Sequence, residues 1–378
     1  MTNPSGENVS PRNDSGIYSP AYILSRANFG SLIAIGAVLV VVAAAFAWTA
    51  GWLSPKRLTP GEVVDQFERT NGLHAGFRRN HPKGICFAGH FDSSGAGQTL
   101  SKAEVFRPWA TPVFGRFAIA SGQPYLPDTA MSVRSMALNF TLRNGEVWRM
   151  AMNGIPVFTV ASVQDLYDQL VAATPDPKTG KPDPARLAAF MKSHPADAQA
   201  VAVVKATPLA SGFANTTFNS LDAFLFVNAR GDKRAVRWAM IPDDPFQPAK
   251  PDLTQATRPN FQFDDLITRM RLGPIRYHLV VTLGQPGDQT TDPSKAWPPD
   301  RDHIDLGVLT LDRVDDEAHG ACRDVNFDPL ILPAGVEASD DPILSARSAT
   351  YAQSFKRRAA EHPPVSAVHL PSNSEGMH

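Results

Sequence analysis

The chain has 378 residues, 43% of them hydrophobic, enough to bury a substantial core in one large domain or two ordinary ones. Its formal net charge is -1 and no lysine or arginine run stands out, which argues against nucleic acid as a partner. The two cysteines, Cys86 and Cys322, exclude a disulfide scaffold and a multi-cysteine zinc site; they read as two separate buried thiols, with pairing in an oxidising compartment as the alternative.

Residues 1–30 are polar and rich in Ser, Asn, Pro and Gly, the composition of a disordered segment. An uncharged stretch, "SLIAIGAVLVVVAAAFAWTAGWL", follows over residues 31–53. As a helix it spans roughly 34 Å, sufficient for a bilayer core. Tyr18 and Tyr22 precede it and Trp48 and Trp52 close it, like interfacial aromatic belts. Ala45-Phe46-Ala47 keeps a cleaved signal peptide as the rival, but the apolar run is longer than a signal core, so an uncleaved single-pass anchor is expected.

"LTPGEVVDQFERTNG" predicts a helix with Thr59 as N-cap and Pro60 in its first turn. Strands are expected at 84–91, 112–119, 134–142 and 146–152, the last two joined by the hairpin signal Asn144-Gly145. "SVQDLYDQLVAA" and "PARLAAFMKSH" read as helices around a Pro-rich loop at 175–185. Further strands are expected at 222–228, 234–241, 275–283 and 304–311. About eight strands with short connections predict an antiparallel barrel or sandwich with attached helices, an α+β fold. The last element is a helix in "DDPILSARSATYAQSFKRRAAEH", capped by Asp340 or Asp341, with a loose tail over 361–378. Residues 54–360 thus form the expected folded domain.

Two stretches carry chemistry. "GFRRNHPKGICFAGHF" gathers Arg78, Arg79, Asn80, His81 and Lys83 at the mouth of an apolar strand. In the last helix Arg347, Tyr351, Phe355 and Arg358 share one face. A Tyr/Phe packing stripe is the plainer reading of that spacing. Guanidinium groups beside a phenol also favour phenolate, a ligand suited to ferric haem.

The proximal run, with P-x-G-x-E-A-S at 333–339 and R-x-x-x-Y at Arg347 to Tyr351, resembles haem catalases. So does R-x-x-H-x-K-G at Arg78, His81, Lys83 and Gly84, together with "TPVFGRF", "MNGIPVF" and "WPPDRDHIDLGVLTLDR" in the same order. Stopping soon after the proximal helix, the chain looks like the short, catalase-related peroxidases. The resemblance implies a catalase-like eight-stranded antiparallel barrel holding haem, expected to be ferric haem b. It implies His81 as distal acid–base and Asn153 as peroxide-binding amide. Phe158 would pack over the haem, Tyr351 would be its axial ligand, Arg347 would support Tyr351, and Arg78, Arg116 and Arg358 would pair with propionates. The implied activity is peroxide reduction through a ferryl haem, with hydrogen peroxide or organic peroxides as substrate and a small-molecule electron donor as partner. A homodimer is expected by the same analogy, and a periplasmic haem domain from the slight charge bias of Arg12 and Arg26 against Lys56 and Arg57 around the anchor.

Several positions depart from full-length catalases. Ala118 stands where they carry a serine that orients the distal histidine, so His81 is expected to be less well held. Arg79 and Asn80 replace small apolar residues and are expected to make the pocket more polar; Phe355 replaces a histidine. These changes favour peroxidase turnover over fast dismutation and make bound NADPH doubtful. Two other readings stay open: a catalase-like hydroperoxide isomerase of the allene oxide synthase type, and a non-catalytic, membrane-tethered haem-binding barrel.

Overall fold

Strict alternation of large apolar and other residues is what turns the middle of this chain into a closed sheet. In β3 (Arg134–Thr141) Met136, Leu138 and Phe140 are fully buried, and in β4 (Val147–Asn153) Trp148, Met150 and Met152 are nearly so. β8 (Ile275–Leu283) buries Ile275, Tyr277, Leu279 and Val281 with the same period of two. The computed structural model describes residues 26–50, 58–250, 257–362 and 366–370. Among these, the chain divides into two compact units at Leu58/Thr59.

The remaining strands are β1 (Gly84–Ser93), β2 (Ala110–Ile119), β5 (Phe218–Asn219), β6 (Phe224–Val227), β7 (Lys233–Pro242), β9 (His303–Asp315) and β10 (Val336–Ala338). Antiparallel pairing runs β1–β2–β3–β4–β5–β7–β8–β9 and returns to β1, a closed eight-stranded barrel. Closure leaves no free edge around the ring. β6 and β10 lie outside it: β6 pairs with the first half of β7, and β10 with β6. The expected count of eight is therefore right, but its membership differs. The strand predicted at 222–228 is the appended β6, and the two-residue β5 takes its place in the ring. Phe91, Phe117, Phe140, Trp148, Phe218 and Tyr277 fill the interior, each worth about 2–3 kcal/mol of burial.

The helices are α1 (Arg26–Thr49), α2 (Pro60–Asn71), α3 (Val163–Ala173), α4 (Pro184–Ser193), α5 (Pro195–Ala206), α6 (Phe261–Arg271) and α7 (Pro342–Ala359). α1 contains one apolar span, Gly30–Thr49, long enough to cross a membrane by length and composition. The last residues of the predicted span, 51–53, and the polar segment before residue 26 lie outside the described residues. α2 starts with a reciprocal capping box: the Glu62 amide donates to the Thr59 hydroxyl at 3.2 Å and the Thr59 amide to the Glu62 carboxylate at 2.9 Å. Arg357 of α7 reaches Asp65 of α2 at 2.6 Å and Glu68 at 3.1 Å, locking the two helices together. Helices α3 to α5 form an excursion between β4 and β5.

The cysteines are not separate thiols. Cys86 and Cys322 form a disulfide with Cα atoms 5.5 Å apart, 236 residues distant in sequence. Cys86 pairs across the sheet with Asp315, and the chain beyond folds back over β1. Gly320 permits this, because a Cβ there would fall 2.4 Å from the Cys86 sulfur.

Candidate functional site

The pleat that fills the barrel also builds a site on its opposite face. Ala118 is paired with Ser135, and Ser135 with Asn153, across β2, β3 and β4; in the next row Arg116 is paired with Ala137, and Ala137 with Ala151. These six residues face one concave cavity on that side of the sheet. The α7 face carrying Arg347, Thr350, Tyr351, Ser354, Phe355 and Arg358 lines it as well, at helical spacings of three and four. Val64 and Phe67 of α2 and Phe327 add apolar wall.

His81 enters from the loop before β1. Its φ of 55° is unusual for a residue other than glycine. Neighbours hold it there: its amide donates to the Ser121 carbonyl at 2.8 Å, and Arg116 donates to the His81 and Pro82 carbonyls at 2.8 and 2.9 Å. A Cβ on Gly84 would lie 2.4 Å from the Arg116 guanidinium carbon, so a glycine is needed for that approach. Burial, reinforced by Arg116 and Arg347, pushes the imidazole down to about 3, and it is neutral at ordinary pH. The His81 Nδ1 lies 3.0 Å from the Ser135 hydroxyl, which lies 2.5 Å from Asn153 Oδ1. The imidazole is thus in contact with a serine, although not one at position 118.

Lys83 does not face the cavity chemistry. Its ammonium is buried on Asp128 at 2.7 Å and on the carbonyls of Leu126 and Pro259, tying the 120–133 loop to the start of α6. Arg79 is likewise committed elsewhere: it pairs with Glu68 at 2.8 Å and with Glu361. It lines the cavity while its donors are taken up by α2 and the end of α7, so the expected gain in polarity there does not come from Arg79.

On the α7 wall, Asp341 caps the helix through the Ile343 amide at 2.8 Å, with Pro342 in the first turn. Arg347 is buried between the Asp222 carboxylate and the Ala151 carbonyl, the latter at 3.0 Å, and its Nη2 lies 3.4 Å from the Tyr351 oxygen. Burial works against its charge, but Asp222 and Tyr351 outweigh that and raise it. Asp341 is pushed up to about 7, by burial first and then by neighbouring Asp222.

One edge of the cavity is strongly cationic. Arg78 donates to Glu317 at 2.7 Å and to the Cys322 carbonyl at 2.9 Å. Arg116 grips Glu317 with two bonds at 2.7 and 2.8 Å, and Arg358 donates to the Arg323 carbonyl at 2.6 Å. Arg78 is lowered by burial and by Arg116, the mark of crowded positive charge. Three guanidinium groups and one carboxylate leave a local charge of +2 at this edge.

The cavity therefore brings together His81, Asn153, Arg78, Arg116, Arg347, Tyr351 and Arg358. Phe158 is not among the lining residues; its ring stands 6.0 Å from the Arg347 guanidinium. Sequence reasoning missed Ser135, Asp222 and Glu317. Each is brought in by strand register or loop return, which no local motif announces.

These residues fit haem. Apolar walls accept a flat macrocycle, the +2 edge matches its two carboxylates, and Tyr351 presents an oxygen suited to ferric iron. Among the described residues there is no cluster of His, Cys, Asp and Glu that could hold a metal ion on its own.

Comparison with known proteins places this geometry in context. The model of one family, Catalase, matches residues 47–374. A catalase-related peroxidase of Synechococcus elongatus is 38% identical over 301 residues, covering 80% of this chain and 89% of that protein. One from Mycolicibacterium paratuberculosis is 31% identical over 314 residues, covering 82% and 99%. The solved structure of a bacterial catalase superposes with a TM-score of 0.67 at 22% identity, covering 86% of this chain and 65% of the other.

Proposed function

The chain belongs to the catalase family, and from that premise we propose that it is a membrane-anchored, haem-dependent peroxidase acting on hydrogen peroxide and organic peroxides. The observation that carries this reading is one cavity with His81 and Asn153 from the barrel side, Tyr351 and Arg347 from α7, and a +2 edge between them. Arg78, Arg116 and Arg358 would hold the haem propionates, and Tyr351 would be the axial ligand. Bound there, haem would supply the redox centre for taking two oxidising equivalents from a peroxide and passing them to a small-molecule donor.

The side chains do the rest. Asn153 hydrogen-bonds the peroxide and fixes its approach. His81, neutral at working pH, takes the proton from one peroxide oxygen and delivers it to the other, which leaves as water or an alcohol. Arg347 donates toward the Tyr351 oxygen and, anchored on buried Asp222, keeps that side chain aimed.

Peroxidase rather than dismutase turnover is supported by two relatives named catalase-related peroxidases, of which the chain covers 89% and 99%. The loss of serine at 118 supports it less than the sequence implied, because Ser135 contacts the imidazole instead. The apolar helix Gly30–Thr49 supports a single-pass anchor. The disulfide supports a haem domain that matures outside the reducing cytosol, as in a periplasm.

The test is turnover by the haem-loaded full-length chain in detergent, with hydrogen peroxide, cumene hydroperoxide and a fatty-acid hydroperoxide, each with an oxidisable donor. Donor oxidation that exceeds oxygen release is the expected result. Dominant oxygen release, or an allene oxide formed from the fatty-acid hydroperoxide, would replace the assignment.

A further inference from the structure

Positions 118, 135 and 153 form a single row across three neighbouring strands, each paired directly with the next. The hydroxyl missing at Ala118 is therefore present one strand away, at its cross-strand partner. Ser135 touches both residues that handle peroxide in the reading above, on which this inference rests.

The two separations fix who donates. The Ser135 oxygen lies 2.5 Å from Asn153 Oδ1, a distance of O–H···O bonds and too short for N–H···O. The hydroxyl proton is thus spent on Asn153. At 3.0 Å from His81 Nδ1, the same oxygen is left to accept, the ordinary N–H···O distance. Nδ1 then carries the imidazole proton, and Nε2 keeps a free lone pair. With its carbonyl engaged by Ser135, Asn153 has both amide protons to offer elsewhere.

We propose that Ser135 is a positioning residue that sets both distal groups at once, fixing His81 in the Nδ1–H form with Nε2 as base and turning the Asn153 amide into a donor toward the peroxide. The hydroxyl thereby biases the histidine to accept and the asparagine to donate, beside the Ile119 backbone, which also hydrogen-bonds the imidazole. If the serine proton pointed to Nδ1 instead, both roles would invert: Nε2 would carry the proton and could not receive another from a peroxide.

The direct test is nitrogen–proton correlation NMR on the full-length chain in detergent micelles, prepared without haem and labelled in the histidine rings. The His81 signals are identified by their loss in His81→Gln. The expected result is Nδ1 protonated and Nε2 bare, with the two forms mixed in Ser135→Ala. An Nε2–H form in the wild type, or an unchanged pattern in Ser135→Ala, overturns the proposal. In the haem-loaded chain, Ser135→Ala should slow the reaction with peroxide by about 10–100-fold, the usual cost of losing a group that orients a reacting side chain, while the melting profile stays cooperative. Moving the hydroxyl back, in Ala118→Ser with Ser135→Ala, should restore most of that rate; no restoration counts against the relay. A wild type that shows the expected tautomer yet binds no haem would defeat the peroxidase reading and leave standing only the effect of Ser135 on the His81 tautomer.

Discussion

Glu317 is a carboxylate placed among guanidinium groups, where a cofactor's own carboxylates are expected, and replacing it with glutamine separates the two roles of that edge. It is 8% exposed and bonded to Arg78 and twice to Arg116. Burial alone would raise it, but Arg116 and Arg78 hold it below the usual carboxylate range. Removing one charge from a buried pair leaves the partners uncompensated, at a cost of about 3–5 kcal/mol. For a unit of this size that lowers the melting temperature of the haem-free chain by about 4–8 °C. With haem bound, its two carboxylates replace the lost anion, so the fall should be much smaller. The difference appears as tighter haem binding, about tenfold for each 1.4 kcal/mol recovered. Thermal melts of wild type and Glu317→Gln, with and without haem, read both quantities. Equal losses in the two forms, or weaker haem binding, would refute the picture of a +2 edge awaiting a dianion.

Two further outcomes follow from the structure. Replacing both Cys86 and Cys322 by serine removes a cross-link across 236 residues of chain, worth about 2–5 kcal/mol; the guanidinium midpoint should fall and the slope steepen as the unfolded chain expands, and an unmoved midpoint would mean that the bridge contributes nothing. Asp341 is raised to about 7 from its ordinary 3.8, mostly by burial. A buried acid shifted upward favours its protonated form, so the stability it contributes is present at low pH and lost as pH rises through that window. Asp341→Asn keeps a good helix cap and should match wild type near pH 4 while exceeding it at pH 8 by on the order of 1–3 kcal/mol. Parallel stability curves for the two proteins would contradict this.

Much of the barrel was legible because inward residues recur every second position: the runs Met136–Phe140, Trp148–Met152 and Ile275–Val281 announce their strands unaided. β5 was not, since its two residues are held by register with β4 and β7 and show no period of their own. Helix α5 also went unread; Pro195 stands in its first turn, directly after the end of α4. The cavity-facing residues on α7 and in the His81 loop were readable because each set lies within one local segment. Ser135, Glu317 and Asp222 were not, since their meaning depends on which strand or loop lies beside them. Ala118 shows the point well. Read alone it signals a weakened histidine, and only the pairing of β2 with β3 reveals the hydroxyl next to it. The same holds for Cys86 and Cys322, which only the return of the chain after β9 brings together.

The central claim is that Tyr351 and the +2 edge hold haem in this cavity. The measurement that tests it most directly is the visible spectrum of the full-length chain, produced with haem and purified in detergent, beside that of Tyr351→Phe. The account predicts a high-spin ferric spectrum of the phenolate type in the wild type, lost in the variant while the melting profile stays cooperative. A folded wild type that takes up no haem, or a Tyr351→Phe spectrum identical to the wild type, would contradict it.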